Sequence, residues 1–215
     1  NTQSTTVRPH AAVKACIEEK VPLFCAGLGN PGFMVDEAHA AGMKVLGLSG
    51  NTKNARRIAR SGVDLVAAQG HEGGGHTGRI GTMVLLPAAI DAAYPVPVLA
   101  AGGIGDGRGI AAALVMGAVG VWMGTRFVAT HECDAAPGFK QAFLNARRED
   151  LVIITSPVGM PGRAVRNRFL EEVDRGEKKP FKCPYHCVKT CRPAESPYCI
   201  ALALAAARKG RFKNG

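Results

Sequence analysis

The sequence predicts an α/β protein built on a parallel sheet, and three observations carry that expectation. Apolar runs of strand length recur at residues 21–26, 43–48, 63–68, 96–101 and 120–123. Helix-like segments separate them. The chemically unusual residues stand just after each run: Asn30, Ser49, the stretch 69–76, the stretch 102–106 and the stretch 124–126. Strands that are apolar throughout, rather than alternating, are buried on both faces by helices. Sites in such folds gather at the carboxyl ends of the strands, so one site assembled from several loops is expected.

The intervening segments read in order. Residues 7–20 form a short helix with Val13 and Ile17 on one face, and 36–41 is helical in composition. Residues 52–61 place Ile58 inward and Lys53, Arg56, Arg57 and Arg60 outward, and Gly62 ends that helix. Residues 83–93 and 109–116 are the next two helices, the second stopped by Gly117. Beyond 133 the pattern changes. A helix over 139–146, an apolar run at 151–155, an irregular SPVGMPGR and a helix over 164–173 suggest a helical cap or lid across 134–180. The polar RGEKKP is read as a linker. Residues 181–215 hold a cysteine-rich stretch and an Ala/Leu helix over 200–208, closed by Gly210.

Composition narrows the class. At 215 residues the chain can bury a core of one domain, and 47% apolar with 20% charged residues describes a globular protein. No apolar run has the length of a bilayer span, and no charged-then-apolar leader opens the chain, so no membrane partner is expected. The first residue is Asn1 rather than Met, which points to processing or a missing start. Residues 138–215 hold 16 Lys and Arg against 7 Asp and Glu, net +9 of the chain's +10. No nucleic-acid motif accompanies that charge, so a solvated basic surface is preferred to a nucleic-acid site. The seven cysteines do not form a secreted framework: Cys16, Cys25 and Cys133 are scattered, and Cys183, Cys187, Cys191 and Cys199 cluster. A reducing cytoplasm is the compartment this favours.

The residues with chemistry lie in three loops. In QGHEGGGHTGRIG, residues 69–81, Gln69 ends a strand, then Gly73, Gly74 and Gly75 precede His76. Glycines let a backbone pass close to a flat or phosphorylated ligand, and a histidine there can exchange protons near neutral pH. A flexible turn with a solvated histidine remains the alternative. AAGGIGDG at 100–107 and MGTRF at 123–127 are Gly-rich turns after successive strands, with backbone N–H groups suited to phosphate. Lys44, inside an apolar run, must face water, a partner or a bound anion.

GVDLVAAQGHEGGGHTGRIGT followed by PVLAAGGIGDGRGIAAALVMGAVGVWMGTRFVAT strongly resembles the nitronate monooxygenase family, formerly 2-nitropropane dioxygenases. It resembles almost as closely the flavin-dependent enoyl-acyl-carrier-protein reductases of the same superfamily. The likeness runs from about residue 21 to 131, and more loosely to 173. It implies a (β/α)8 TIM barrel holding FMN, with residues 1–133 as its C-terminal portion. It implies His76 as the catalytic histidine, acting on a nitronate as base or as hydrogen-bond donor. Gln69, Gly74 and Gly75 match flavin-contacting positions. Gly102 and Gly103 match a first phosphate turn, Gly124 and Thr125 a second, and Lys44 a strand lysine near the flavin. Nitronate with O2, or an enoyl thioester with NAD(P)H, are the implied substrates; a catalytically silent fragment and a homodimer are also carried as readings.

Two departures accompany the resemblance. A complete barrel has eight strands and roughly 250 residues. The five runs here match the last five, so about three β/α units are expected upstream, and weak FMN retention by this chain alone follows. Second, in CPYHCVKTCRPAESPYC a helix would keep Cys183, Cys187 and Cys191 within about 80° of one another. With Cys199 they could hold zinc or an iron–sulfur cluster, although the usual spacings are tighter and thiols packing a helical hairpin are preferred.

Overall fold

The computed structural model describes residues 9–179, 181–183 and 191–213. In chain order the elements begin α1 (Pro9–Glu18), β1 (Leu23–Ala26), α2 (Val35–Ala40), β2 (Lys44–Ser49), α3 (Thr52–Ala59) and β3 (Leu65–Gln69). Next come β4 (Gly75–His76), α4 (Thr82–Ala93), β5 (Val98–Ala101), α5 (Gly107–Val115), β6 (Gly120–Trp122) and α6 (Thr125–Val128). The last are α7 (Pro137–Asn145), β7 (Leu151–Thr155), β8 (Pro161–Val165), α8 (Arg168–Asp174) and α9 (Ile200–Arg208). They divide into two compact units, one running to Gly73 and resuming over 77–123, the other made of 74–76 with the residues from Gly124 onward.

The first unit is the expected parallel α/β structure of the barrel type, five parallel strands with helices α2 to α5 following the first four. Its sheet has the order β1-β2-β3-β5-β6, every pair parallel. Val45, Val66, Ala68, Val98 and Ala100 are at most 2% exposed, because helices cover the sheet. Ile58 from α3 and Leu85 and Leu86 from α4 fill the helix side of that core. Full burial of such a side chain stabilises by about 1.5–3 kcal/mol. The helix ends follow local chemistry. Asn51 caps α3 by accepting from the Asn54 N–H at 2.8 Å, and Gly62, at φ +87°, provides the left-handed exit. Arg57 is half-buried rather than outward as its helical position suggested, while Lys53, Arg56 and Arg60 are exposed.

The second unit differs from the helical cap expected over 134–180. Leu151–Thr155 is a strand that pairs antiparallel with Pro161–Val165, from Leu151 opposite Val165 to Thr155 opposite Pro161. The helix expected from Ala164 begins only at Arg168, where the Asn167 side chain accepts from the Leu170 N–H at 2.9 Å. Pro161 and Gly162 hid β8 from propensity reading, but the β-branched Val152, Ile153 and Ile154 still needed a ladder partner. β4 joins the other edge of β8, placing His76 opposite Gly162. A small core of Phe169, Leu170, Tyr198 and Ala203 closes this unit, with the Phe169 and Tyr198 rings edge-to-face at 4.9 Å. In the supposed RGEKKP linker residues 175–178 are exposed and Lys179 is half-buried. Lys179 pairs with Glu172 and Glu177 and stands 5.9 Å from the Phe169 ring centre. Among the described residues no helix is long and apolar enough to cross a membrane.

Gly47 sits in the middle of β2 beneath α3, and a Cβ there would stand 2.4 Å from Cγ2 of Ile58. Gly47→Ala is expected to destabilise the sheet unit by about 1–3 kcal/mol through overpacking. Ile58→Ala in the same chain should recover part of that loss, so a double-mutant cycle by chemical denaturation should give a favourable coupling.

Candidate functional site

In the sheet unit the expected residues meet at the carboxyl ends of β3 and β5. Gln69 is the last residue of β3, and the loop turns back at once: the Gly70 N–H donates to Ala101 O at 3.0 Å and the Gly73 N–H to Gly70 O at 3.1 Å. The β5 exit packs directly on this loop. A Cβ on Gly102 would lie 2.9 Å from Gly73 N and 3.0 Å from Gly70 O, and the residue holds φ +90°. Gly103, at φ +74°, would bring its Cβ to 3.1 Å from Cβ of Glu72. Only glycine satisfies both the backbone angle and the close approach. Gly73 in turn leaves room for the Gln69 amide, whose Nε2 would be 2.5 Å from a Cβ there.

Two residues to which the sequence assigned no role lock this junction. The Thr82 hydroxyl stands 2.9 Å from Oε2 of Glu72 and 2.9 Å from the Gly102 carbonyl, so its one proton is shared between two acceptors. The Thr82 N–H donates to the same carboxylate at 2.9 Å. Burial pushes the Glu72 carboxyl up, but backbone N–H donors, the Thr82 hydroxyl and the nearby His71 outweigh it and hold it below the ordinary carboxylate range. Glu72 lies inside the quoted glycine-rich motif. Thr82, at the start of α4, carried no sequence signal, because its partner lies 20 residues further along the chain.

Lys44 is a correction. It is the first residue of β2, paired with Leu23, and so lies at the amino end of the sheet, opposite to Ser49, Gln69 and Ala101. Its ammonium is exposed and bonds Oδ1 of Asp64 at 2.7 Å. Asp64 also takes the Val45 N–H and the His39 ring, each at 2.8 Å. Burial alone would raise the Asp64 carboxyl; Lys44, the Val45 N–H and His39 overcome it and hold it at about 2. This cluster fastens the strand starts, at the end of the sheet away from the Gly-rich loops.

In the second unit His76 is half-buried in β4, and burial holds its imidazole below its ordinary value, so the ring is neutral at pH 7. Its Nε2 lies 2.8 Å from Oγ of Ser156, a residue 2% exposed in the β7–β8 turn. Gly74 brings its backbone beside the Thr125 hydroxyl, 3.7 Å from where a Cβ would stand, while a Cβ on Gly75 or Gly124 would meet nothing within 4 Å. Gly124 also lines an open cavity of about 710 Å³ with Phe127, Val128, Thr130, Glu132 and Cys133. The bare, accessible backbone at Gly74, Gly75 and Gly124, with the adjacent Thr125 hydroxyl, fits contact with a flat phosphorylated group. The cysteine expectation is only partly placed. Cys183 and Cys191 are half-buried and Cys199 is buried, whereas Cys187 lies outside the described residues. Among the described residues no group of three His, Cys, Asp or Glu is arranged to hold a metal ion.

Comparison with known proteins gives consistent relationships. The model of the nitronate monooxygenase family matches residues 2–211. A Mycobacterium tuberculosis protein whose name gives monooxygenase as its supposed activity is 47% identical over 156 residues, covering 72% of this chain and 42% of its own length. FabK from Thermotoga maritima superposes with a TM-score of 0.80 at 37% identity, over 94% of this chain and 61% of that one. Nitroalkane oxidase from Streptomyces ansochromogenes gives 0.73 at 30% identity, over 95% and 59%. The chain thus spans less than half of that curated relative and about three fifths of the two solved structures.

The two ends of the sheet give separate tests. Gly102→Ala should lower stability by about 1–3 kcal/mol, since it combines a left-handed φ with a backbone clash, and melting measured by circular dichroism checks this. For Asp64 the folded carboxyl is depressed, so the unfolded chain binds more protons in acid and stability rises with pH. Its contribution, about 1 kcal/mol for a solvent-screened cluster, is present above about pH 4 and lost as pH falls through about 2. Asp64→Asn should flatten that acid limb in denaturation curves taken from pH 2 to 7.

Proposed function

The chain belongs to the nitronate monooxygenase family, and we propose that it carries part of an FMN-dependent site that oxidises alkyl nitronates with O2. The observation that carries this reading is His76, half-buried, with burial favouring its uncharged form, and 2.8 Å from the Ser156 hydroxyl. It follows a run of glycines, which leave the backbone there bare. In the sheet unit Gln69, Gly102 and Gly103 would hold the flavin. In the second unit Gly74, Gly75, Gly124 and Thr125 keep the flavin-contact and phosphate roles that the family resemblance gives them. A bound FMN would supply the electron transfer from nitronate to O2. The protein residues orient and shield. His76 handles the proton or hydrogen bond at the substrate, the glycine turns admit the flavin backbone-first, and the Glu72–Thr82–Gly102 junction fixes the shape of the loop.

The test is O2 consumption by FMN-loaded protein given an alkyl nitronate without NAD(P)H. Turnover supports the reading; a requirement for NAD(P)H with an enoyl thioester as the substrate reduced would replace it with the reductase. His76→Ala should lower kcat/KM about 10²–10⁴-fold while leaving FMN absorbance and the melting temperature nearly unchanged. Undiminished turnover by that variant would remove His76 from the chemistry.

A further inference from the structure

The chain leaves β5 through two successive glycines in the left-handed region, Gly102 at φ +90° and Gly103 at φ +74°. Two glycines in a row leave the plane of the peptide between them free to turn, so something outside the loop must set it. Thr82, 8% exposed at the start of α4, does so. Its hydroxyl lies 2.9 Å from the Gly102 carbonyl oxygen and is the only donor that this carbonyl meets among the described residues. Glu72 steadies Thr82 in turn, taking its N–H at 2.9 Å and facing its hydroxyl at 2.9 Å. A trans peptide is planar, and its C=O and N–H point in opposite directions. A Gly102 carbonyl held toward Thr82 therefore turns the Gly103 N–H away from α4. Gly103 is exposed, and among the described residues its N–H meets no acceptor. A fixed, unpaired N–H on an open turn is a preorganised donor for an anion's oxygen.

We infer that Thr82 is a positioning residue for the phosphate of FMN: by holding the Gly102 carbonyl it aims the Gly103 N–H at a phosphate oxygen, and so sets a preference for FMN over riboflavin, the same flavin without its phosphate. The identity of the anion rests on the FMN site proposed above. Thr82 acts through the peptide between Gly102 and Gly103. Its hydroxyl adds no charge to the site, and what it supplies is the direction of a backbone donor. The isoalloxazine ring, common to both flavins, gains nothing from it.

Fluorescence titration of the chain with FMN and with riboflavin tests this. The unsubstituted chain should bind FMN more tightly. Thr82→Val, which exchanges the hydroxyl for a methyl, should weaken FMN about 10–100-fold, the worth of a hydrogen bond to a charged group, and leave riboflavin nearly unchanged. Thr82→Ser, which keeps the hydroxyl, should keep the preference. Equal loss of both flavins means a merely structural role and overturns the inference, as does an undiminished FMN preference in folded Thr82→Val. Should Thr82→Val not fold, Thr82→Ala is read in the same way. A chain that binds neither flavin counts against the FMN site, and inorganic phosphate then decides the role of Thr82. With carbon-13 at glycine carbonyls and nitrogen-15 at glycine nitrogens, NMR selects the Gly–Gly peptides, those at 73–74, 74–75 and 102–103. The Gly103 amide is assigned by its loss in Gly103→Ala. It should shift saturably with phosphate in the unsubstituted chain and not in Thr82→Val. A Gly103 amide that moves with neither phosphate nor FMN overturns the inference, and FMN binding without that movement spares the proposed function.

Discussion

One hydroxyl proton, that of Thr82, lies between the Glu72 carboxylate and the Gly102 carbonyl, and the carboxyl end of the sheet depends on it. The loop after β3 carries consecutive glycines, so nothing in its own sequence fixes its shape. It is fixed from outside. The start of α4 holds it through Thr82, and the β5 exit seats against it through Gly102 and Gly103. An ionised Glu72 is the natural partner for two donors from one residue, which is why its carboxyl stays below the ordinary range despite burial. Remove the carboxylate and the Thr82 N–H at the first turn of α4 loses its acceptor.

Much of the first unit was legible in the sequence because its physics is local. Strands buried on both faces must be apolar throughout, and glycines such as Gly62 and Gly117, both at positive φ, mark helix exits wherever the chain needs a left-handed residue. What was hidden depends on distant partners. β8 opens with Pro161 and Gly162, both poor strand formers, and becomes a strand only because Leu151–Thr155 lies beside it. A two-residue β4 has no periodicity to detect. Lys44 was misread because a polar residue at a strand start and one in mid-strand look alike until register is known; register pairs it with the beginning of β1. Ser156 was invisible for the same reason, being 80 residues from His76.

Within each unit different residue types perform different tasks. Glycines at 74, 75 and 124 leave their backbone bare, and those at 102 and 103 hold positive φ close against the β3 loop. Carboxylates provide anchorage, Asp64 at the amino end of the sheet and Glu72 at the carboxyl end. His76 combines a lowered proton affinity with a ring hydrogen-bonded to Ser156. Its burial favours the uncharged form, and the Ser156 contact satisfies one ring nitrogen without introducing a charge. A carboxylate in the place of Ser156 would instead favour imidazolium.

The closeness of α3 to the sheet has a consequence for variation of this chain. Gly47 and Ile58 occupy the same few ångströms, with a built Cβ on the former only 2.4 Å from the latter's Cγ2. Neither position is free to drift by itself. A larger residue at one demands a smaller or differently branched one at the other, so the two should covary among homologues, and a randomised library that samples them independently would spend most of its members on unfoldable pairs.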